Sequence, residues 1–360
     1  MCRGFQTHTG SKYYCIEQQI DPLNTQSSIC FLCSRYSAAL FECPLIRKDP
    51  PEYITLMLQN ERRSDPTYVI PVTSSEVVST YSRRFTVCLM PLNNNYSNSF
   101  QLVEWIELNR LLGAERFTVY NYSSAENVKT VLEYYQDFAL VEVLQWQIPL
   151  TVETWPNTND PDIHYFGQLA ALHDCLYRNK RDSEYVVNED LDEFIIPYAE
   201  NVTTWSEMVH HYPSNKGTYR FKNVYYRQEW RDDSLEDFPY KDTAIKYKLV
   251  TLLKTKHEPP DPFKQRTKYM SKTAMVNRLQ VHSSAPAKNN GGIELVPPSV
   301  ALLHHYRNWQ IYGDGSETNS NVDRTVMHKY GKHLVLNAVK VLQLLENLRE
   351  TRRRAHIKHH

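Results

Sequence analysis

Between residues 84 and 187, short apolar runs alternate with stretches of helical periodicity, and this alternation restricts the folds open to the chain. Strands that alternate with helices favour a parallel sheet covered by helices. The predicted elements are strand Phe85–Leu89, helix Leu102–Leu112, strand Arg116–Tyr120, a helix that ends near Tyr135, strand Leu140–Leu144, helix Ile163–Asn179 and strand Glu184–Val187. The predicted fold class is therefore α/β, with a mostly parallel central sheet flanked by helices.

Helix ends carry recognisable signals. Gly113 directly follows the first predicted helix, where a left-handed C-terminal residue is common. Ser123 and Glu126 have the spacing of a capping box, so we expect them to open the second helix. A last amphipathic helix is predicted from Val326 to Arg349.

The regions on either side of the alternating pattern differ from it in character. Residues 1–80 are rich in Cys, Pro and Ser with weak periodicity, which predicts an irregular or β-containing stem or accessory segment. Residues 81–310 are expected to form the main domain. Residues 311–360 are expected to form a C-terminal helix and a basic tail, which is interpreted as a solvated terminus.

Charge and hydropathy limit the partners of the chain. Its 41 Lys and Arg balance its 41 Asp and Glu, so no overall positive field attracts nucleic acid. No run of about 18 apolar residues could span a bilayer, and the first 20 residues lack the apolar core of a signal peptide. Membrane association is therefore expected only through an anchor that is not evident in this chain.

Cysteines and sequons indicate an oxidising compartment. Five of the seven cysteines lie within the first 43 residues, which predicts a disulfide-bearing N-terminal segment rather than a zinc site. Glycosylation sequons begin at Asn95, Asn121 and Asn201 and fit a secreted or luminal protein.

Two carboxylates, Asp190 and Asp192, follow the strand at Glu184–Val187. Ligands of such sheets bind beyond the carboxyl ends of the strands. Paired carboxylates can hold a hard cation that bridges a diphosphate. Glu189 and Glu193 add charge that is costly to crowd together without a cation. A solvated acidic turn is the plainer interpretation. A haloacid dehalogenase-type phosphatase is disfavoured because Phe194 stands where that family has Thr or Val.

A second polar cluster follows the apolar run 300–303. His305 could complete the coordination of a metal, and Arg307 could bind a phosphate. His282 follows another apolar run and is the alternative metal ligand. Each histidine could instead be structural.

Several segments together resemble glycosyltransferase family 92. They are Leu102–Gly113, Phe117–Ser124, His164–Arg178, Asp190–Phe194, Tyr219–Val224 and Val296–Arg307. The resemblance covers roughly residues 84–310 and implies a GT-A fold, which makes 81–310 a catalytic domain. It also implies a UDP-sugar donor, with galactose in the best-understood members, a manganese-like ion (Mn²⁺), inversion at the anomeric carbon and a type II membrane protein of the Golgi.

The resemblance assigns roles to individual residues. Asp190 and Asp192 look like its metal and diphosphate motif. Asn121 stands where the family usually has Asp near the nucleotide, and Asn109 where it often has His. The residues expected to bind the donor are Asn121, Ser123, Gln168, Asp190 and Arg307.

An inverting transfer needs a carboxylate base for the acceptor hydroxyl. The acidic stretch 229–233 supplies two candidates, Asp233 and Glu229, although it could equally be an exposed loop. The sequence thus predicts a metal-dependent hexosyltransferase of the secretory lumen that acts on a glycan of a glycoprotein or glycolipid. The alternative is a non-catalytic glycan-binding protein that retains the GT-A fold.

Overall fold

The structure is a computed structural model. It describes residues 80–152, 162–259, 266–282, 284–286, 292–308 and 317–357, together with short segments at 2–5, 13–15, 21–22, 36, 38–40, 52–56 and 69–72. The strands are β1 Cys2–Phe5, β2 Tyr13–Cys15, β3 Asp21–Pro22, β4 Ala39–Leu40, β5 Tyr53–Leu56, β6 Ile70–Pro71, β7 Arg83–Leu92, β8 Arg116–Asn121, β9 Val141–Gln145, β10 Ser183–Glu189, β11 Glu193–Pro197, β12 Thr218–Phe221, β13 Asn223–Tyr226, β14 Lys256–His257, β15 Lys268–Lys272, β16 Val276–Leu279, β17 Ser284–Pro286, β18 Ile293–Leu295, β19 Ala301–Tyr306 and β20 Asn321–Val322. The helices are α1 Ser99–Leu112, α2 Glu126–Asp137, α3 Gln168–Asn179, α4 Trp205–His211, α5 Lys241–Lys246, α6 Val250–Leu253 and α7 Thr325–Ile357.

A seven-stranded sheet forms the centre of the fold, in the order β18-β12-β15-β10-β7-β8-β9. Strands β10, β7, β8 and β9 run parallel to one another, as the alternating pattern predicts. Strand β15 is antiparallel to both of its neighbours, β10 and β12. The sheet is therefore mixed, and the predicted α/β class with a mostly parallel sheet is confirmed.

The strand order reverses between β7 and β10. From β7 the chain moves outward to β8 and β9, and it then returns to the other side of β7 as β10. Such a reversal opens a crevice at the carboxyl ends of the strands, where ligands of α/β sheets bind. Asn121 ends β8 and Glu189 ends β10, so the two predicted polar clusters lie at this same edge.

A smaller sheet, β11-β19-β13, continues from the crevice. Glu193 of β11 pairs with His305 of β19, and Tyr225 of β13 pairs with the same histidine from the other side. This register places the chain that follows Asp192 directly beside the predicted His305.

Helix α7 packs against α1 and α6 in the core of the main domain. Its residues Val335 and Leu342 are buried in the same apolar cluster as Trp105 of α1. The predicted C-terminal helix is thus present and extends to Ile357, beyond the predicted Arg349.

Gly113 ends α1 in the left-handed conformation (φ 112°), as its position predicts. The predicted capping box of Ser123 and Glu126 is wrong, because Ala125 precedes α2 and no side chain caps this helix. The Ser123 hydroxyl instead accepts a hydrogen bond from the backbone N–H of Asn95 (3.1 Å).

The helix predicted to begin at Ile163 begins at Gln168. Tyr165, Phe166 and Gly167 all have positive φ (40°, 57° and 67°) and form a short turn before α3. Bulky residues rarely adopt this conformation, and no local sequence pattern predicts it.

A disulfide joins Cys88 of β7 to Cys175 of α3. Both residues are buried. This link, between positions that the sequence analysis left unpaired, fixes α3 against the central sheet. The disulfide predicted for the N-terminal segment falls on side chains outside the described residues.

The N-terminal segment contains strands, in line with the predicted β content. Its four-stranded sheet has the order β2-β1-β5-β6, and β3 pairs with β4.

Glu104 of α1 is a buried carboxylate that caps α6. Its oxygens accept hydrogen bonds from the backbone N–H groups of Val250 (3.0 Å) and Thr251 (2.8 Å) and from the Thr251 hydroxyl (2.7 Å). Burial raises the pKa of Glu104 to about 7, although these hydrogen bonds oppose the shift. The protonated form is therefore favoured in the folded state relative to the unfolded chain.

This raised pKa predicts a pH dependence of stability. Because the folded pKa exceeds the unfolded one, the stabilisation is present at low pH and is lost as the pH rises through about 7. We expect Glu104 to lower the free energy of unfolding by about 2–3 kcal/mol between pH 5 and pH 8. Urea unfolding at both pH values measures this. The Glu104→Gln variant has no titrating group at this position, so its free energy of unfolding should fall by about 2–3 kcal/mol less than that of the wild type over the same pH range. An equal fall in both proteins would mean that other groups cause the pH dependence.

Candidate functional site

The turn Asp190–Asp192 joins β10 to β11 and is held from both sides. The backbone N–H of Glu193 donates to the Asp190 carbonyl (3.1 Å), and that of Asp190 donates to Oε2 of Glu193 (3.0 Å). Oε1 of the buried Glu189 accepts from the N–H of Ile195 (2.8 Å). The N–H of Tyr306 donates to the Asp192 carbonyl (2.8 Å). The turn is thus fixed before any ligand arrives.

Charges of alternating sign connect the two aspartates beneath this turn. Nζ of Lys268 lies 2.7 Å from Oδ2 of Asp190 and 3.2 Å from Oε2 of Glu193. Oε1 of Glu193 lies 3.4 Å from Nδ1 of His305, and Nε2 of that histidine lies 3.4 Å from Oδ2 of Asp192. Lys268, Glu193 and His305 are buried, whereas the Asp190 and Asp192 side chains are 37% and 25% exposed.

These pairings shift the pKa values of Asp192 and His305 in opposite directions. Burial disfavours the charge of both groups, but the opposing charge of the partner outweighs it. The pKa of Asp192 is lowered mainly by His305, and the pKa of His305 is raised by Asp192 and Glu193. The aspartate is therefore ionised at neutral pH.

The donor set suits a divalent cation in its chemistry but is not assembled around one. Nε2 of His305 is buried and faces Oδ2 of Asp192 at 3.4 Å, as a ligand nitrogen would. Asp190, however, is engaged by Lys268. Within the described ranges, no group of three or more His, Cys, Asp or Glu side chains is arranged to hold a metal ion. The cation that neutralises the crowded carboxylates is here a lysine of the chain.

The turn after β8 forms the other side of the crevice. Asn121 is 6% exposed, and its side-chain Oδ1 is buried without a hydrogen-bond partner. The neighbouring Tyr96 lies beside Ser124 as an isolated bridge. Burial and the charge of Asp192 raise the pKa of Tyr96, so this loop lies within electrostatic range of Asp192. The amide oxygen of Asn121 is thus a buried acceptor without a partner at this edge of the sheet.

The burial of Asn121 also bears on glycosylation. Asn95 and Asn201 are exposed, whereas Asn121 ends a strand. We expect glycans at Asn95 and Asn201 and none at Asn121 when the protein is made in a secretory host. Glycopeptide mass spectrometry measures the occupancy, and a largely occupied Asn121 would contradict the position of this turn.

A left-handed turn that contains Tyr165 precedes α3. The Phe166 carbonyl accepts a hydrogen bond from the Trp146 indole (2.8 Å), which anchors the turn. Burial and the charge of Asp190 raise the pKa of Tyr165, while Arg307 opposes this. The same turn leads into Gln168, which is buried at the start of α3. Tyr165 thus lies within electrostatic range of both Asp190 and Arg307.

The two candidate bases have different surroundings. Asp233 is 5% exposed and accepts hydrogen bonds from Leu235 N–H (3.0 Å), the Thr255 hydroxyl (2.7 Å) and Arg324 (2.8 Å). Burial opposes ionisation, but these bonds keep the pKa of Asp233 below its usual range. Its oxygens are therefore occupied by structural contacts.

Glu229 is the more accessible carboxylate, with a side chain that is 43% exposed and lies 3.2 Å from Arg227. Its backbone N–H donates to the side chain of Asn308 (3.0 Å), the neighbour of Arg307. Glu229 thus lies on a loop adjacent to the phosphate-binding candidate.

Two further histidines, His282 and His304, differ in their surroundings. His282 is exposed, and it lies close enough to Lys268 and Asp190 for their charges to act on it. His304 points away from the site and contacts the hydroxyl of Tyr198 (2.7 Å) and Asp323 (3.5 Å). His304 is therefore structural.

Sequence reasoning missed Lys268 and Tyr165. Lys268 begins a buried strand, and a single lysine in the buried segment 268–271 was a readable signal of a paired charge. Tyr165 lies inside the segment that was predicted to be a regular helix.

Comparison with known protein families identifies the family of the chain. The family model Glycosyltransferase family 92 matches residues 83–347 of the 360-residue chain. The chain belongs to glycosyltransferase family 92. Membership confirms the resemblance stated for the sequence and supports sugar-transferase activity and the GT-A fold.

A curated relative in this comparison is the Beta-1,4-galactosyltransferase galt-1 of Caenorhabditis elegans. It is 30% identical over 125 residues, which are 34% of this chain and 28% of that protein. The chain therefore spans less than a third of the length of this relative.

Two solved structures resemble the chain at low scores. S. aureus TarS 1–349 has a TM-score of 0.31 and 12% identity, over 62% of this chain and 60% of that one. A Mycobacterium tuberculosis glucosyl-3-phosphoglycerate synthase in complex with Mn²⁺, UDP and glucosyl-3-phosphoglycerate has a TM-score of 0.27 and 13% identity, over 54% and 58%. Scores this low carry no argument, and the fold rests on the sheet and on family membership.

Across the residues that the structure describes, none of the helices is long and apolar enough to cross a bilayer.

Proposed function

We propose that the chain transfers galactose from UDP-galactose to a glycan acceptor of a glycoprotein or glycolipid, with inversion at the anomeric carbon. The observation that carries this proposal is the Asp190–Asp192 turn at the reversal of strand order, in a chain of glycosyltransferase family 92. The choice of galactose is supported by the name of the C. elegans relative.

The donor lies across the crevice between the two polar turns. Asn121 and Ser123 contact the nucleoside, since the unpaired Oδ1 of Asn121 needs a donor group. Arg307 binds a phosphate oxygen, and Gln168 orients the sugar from the start of α3. Asp190 faces the diphosphate from the opposite turn.

A divalent ion such as Mn²⁺ would be held by Asp190, Asp192 and His305, with His282 as the alternative imidazole. When bound, such an ion supplies positive charge for the leaving diphosphate. Independently of it, Arg307 neutralises part of the same charge, and Tyr165 restricts the access of water beside Asp190.

Glu229 is the base that we propose for the transfer, in preference to Asp233. It takes the proton of the acceptor hydroxyl as the hydroxyl oxygen forms a bond to the anomeric carbon. The bond from that carbon to the phosphate oxygen breaks, and UDP leaves with the electron pair. Glu229 is preferred because the oxygens of Asp233 already accept three hydrogen bonds.

The lumen of the secretory pathway, in the Golgi, is the proposed location. The buried disulfide Cys88–Cys175 supports it, since such bonds persist in oxidising compartments. Family members are expected to be type II membrane proteins, and any membrane association would come from an anchor.

A glycan array that is incubated with each UDP-sugar and Mn²⁺ tests the proposal. We expect UDP release and one galactosylated product, whose new linkage is β by NMR because the donor is α. Glycan binding without UDP release would favour the non-catalytic glycan-binding alternative. An α-linked product would reject inversion.

A further inference from the structure

Lys268 is a cation built into the wall of the site. Its side chain is fully buried, and Nζ binds Oδ2 of Asp190 (2.7 Å) and Oε2 of Glu193 (3.2 Å). Glu193 is itself only 1% exposed. A buried ammonium with two carboxylate partners is held in place, because leaving either partner would uncover an unpaired buried charge.

The position of Lys268 matters for any second cation. The described contacts of the Asp190 side chain all go through Oδ2 to Lys268, so an incoming metal ion must use Oδ1 or displace the lysine. An ion bound to Oδ1 lies within a few ångströms of a fixed positive charge, and in a partly buried site such repulsion is weakly screened. An ion that displaces the lysine leaves a buried ammonium without one of its partners, which is also costly. Donor-free metal binding is therefore disfavoured at this turn.

A diphosphate changes this balance. It brings negative oxygens to the exposed side of Asp190, opposite the buried Lys268. These oxygens complete the set of metal ligands, since the side chains in the described part of the chain do not form a complete set by themselves. Ligands that each favour the other's binding show equal and reciprocal coupling.

We propose that Lys268 is a built-in counter-cation that keeps a divalent ion off Asp190 until the diphosphate of the donor arrives, so that metal and donor bind as a pair. This proposal rests on the proposed use of a UDP-sugar. Lys268 acts through Asp190 and is a positioning residue.

Titration of the protein with Mn²⁺, followed by the EPR signal of the free ion, tests this without turnover. For the wild type we expect weak donor-free binding and at least about tenfold tighter binding with UDP, after correction by a protein-free titration of Mn²⁺ with UDP. Equal Mn²⁺ affinity with and without UDP would overturn the proposal.

Substitution distinguishes a competing cation from a structural lysine. Lys268→Met should tighten donor-free Mn²⁺ binding by about tenfold or more and shrink the effect of UDP. Lys268→Met with Glu193→Gln removes both members of the buried pair and guards against misfolding. Lys272→Met, at the other end of β15, is the matched control and should change nothing, since Nζ of Lys272 donates to the Ser214 carbonyl (2.6 Å).

The remaining outcomes decide whether Lys268 competes with the metal ion or has a structural role only. If folded Lys268 variants bind donor-free Mn²⁺ no more tightly than the wild type, the lysine is structural and the proposal fails. If Lys268→Met alone does not fold, the double variant with Glu193→Gln carries the same test, and unchanged donor-free Mn²⁺ affinity in it overturns the proposal. If UDP binds neither with nor without Mn²⁺, it is the proposed function that fails, which is a separate result.

Discussion

Asp192→Asn is expected to lower the rate of sugar transfer by at least about 100-fold while the protein remains folded. The substitution keeps the shape of the side chain but removes the negative charge that faces His305 across 3.4 Å. Without that charge the turn loses affinity for a cation and cannot balance charge on the leaving diphosphate. UDP release with Mn²⁺ and UDP-galactose measures the rate.

Stability separates this effect from misfolding. The Asp192 side chain is 25% exposed, so we expect the free energy of unfolding of the Asp192→Asn protein to differ from that of the wild type by no more than about 1 kcal/mol. Asp237→Asn, at an exposed position, is the matched control and should leave transfer unchanged. Full activity in folded Asp192→Asn would remove Asp192 from the site.

Loss of the Cys88–Cys175 disulfide is expected to give the largest change in stability. The bond closes a loop with a sequence separation of 87, and opening it enlarges the unfolded ensemble. We expect the double variant Cys88→Ala with Cys175→Ala to lose about 2–5 kcal/mol of unfolding free energy. Chemical denaturation of the oxidised wild type and the variant measures the difference.

The single variants provide the control for this prediction. Either substitution alone breaks the same bond, so each should account for most of the loss in the double variant. If the losses of stability in the two single variants instead add up to the loss in the double variant, each cysteine contributes by packing alone. That result would contradict a covalent link between β7 and α3.

The central sheet could be predicted because its signals are local. Apolar runs and helical periodicity fixed the succession from β7 to β10, and Gly113 marked a helix end through its own conformational freedom. The antiparallel strand β15 was missed because its pairing with β10 joins residues about eighty positions apart. Nothing within 268–272 reveals that partner.

The same distinction applies to the site. Asp190 and Asp192 could be predicted because they form a motif at a strand end. Lys268 contacts Asp190 only because long-range sheet pairing brings its strand there. The start of α3 was misplaced because Tyr165 and Phe166 take left-handed conformations that tertiary contacts impose, such as that of the Trp146 indole. Sequence patterns identify side chains suited to chemistry, while pairing across the sheet decides which charge balances them.

Binding of a nucleotide to this crevice through the Asp190–Asp192 turn is the central requirement of the proposed function. Calorimetric titration of the wild type with UDP, in Mn²⁺ and then in EDTA, measures this. We expect a dissociation constant between about 1 μM and about 1 mM in Mn²⁺ and at least about tenfold weaker binding in EDTA. UDP binding of equal strength in both conditions, or none in either, would contradict it.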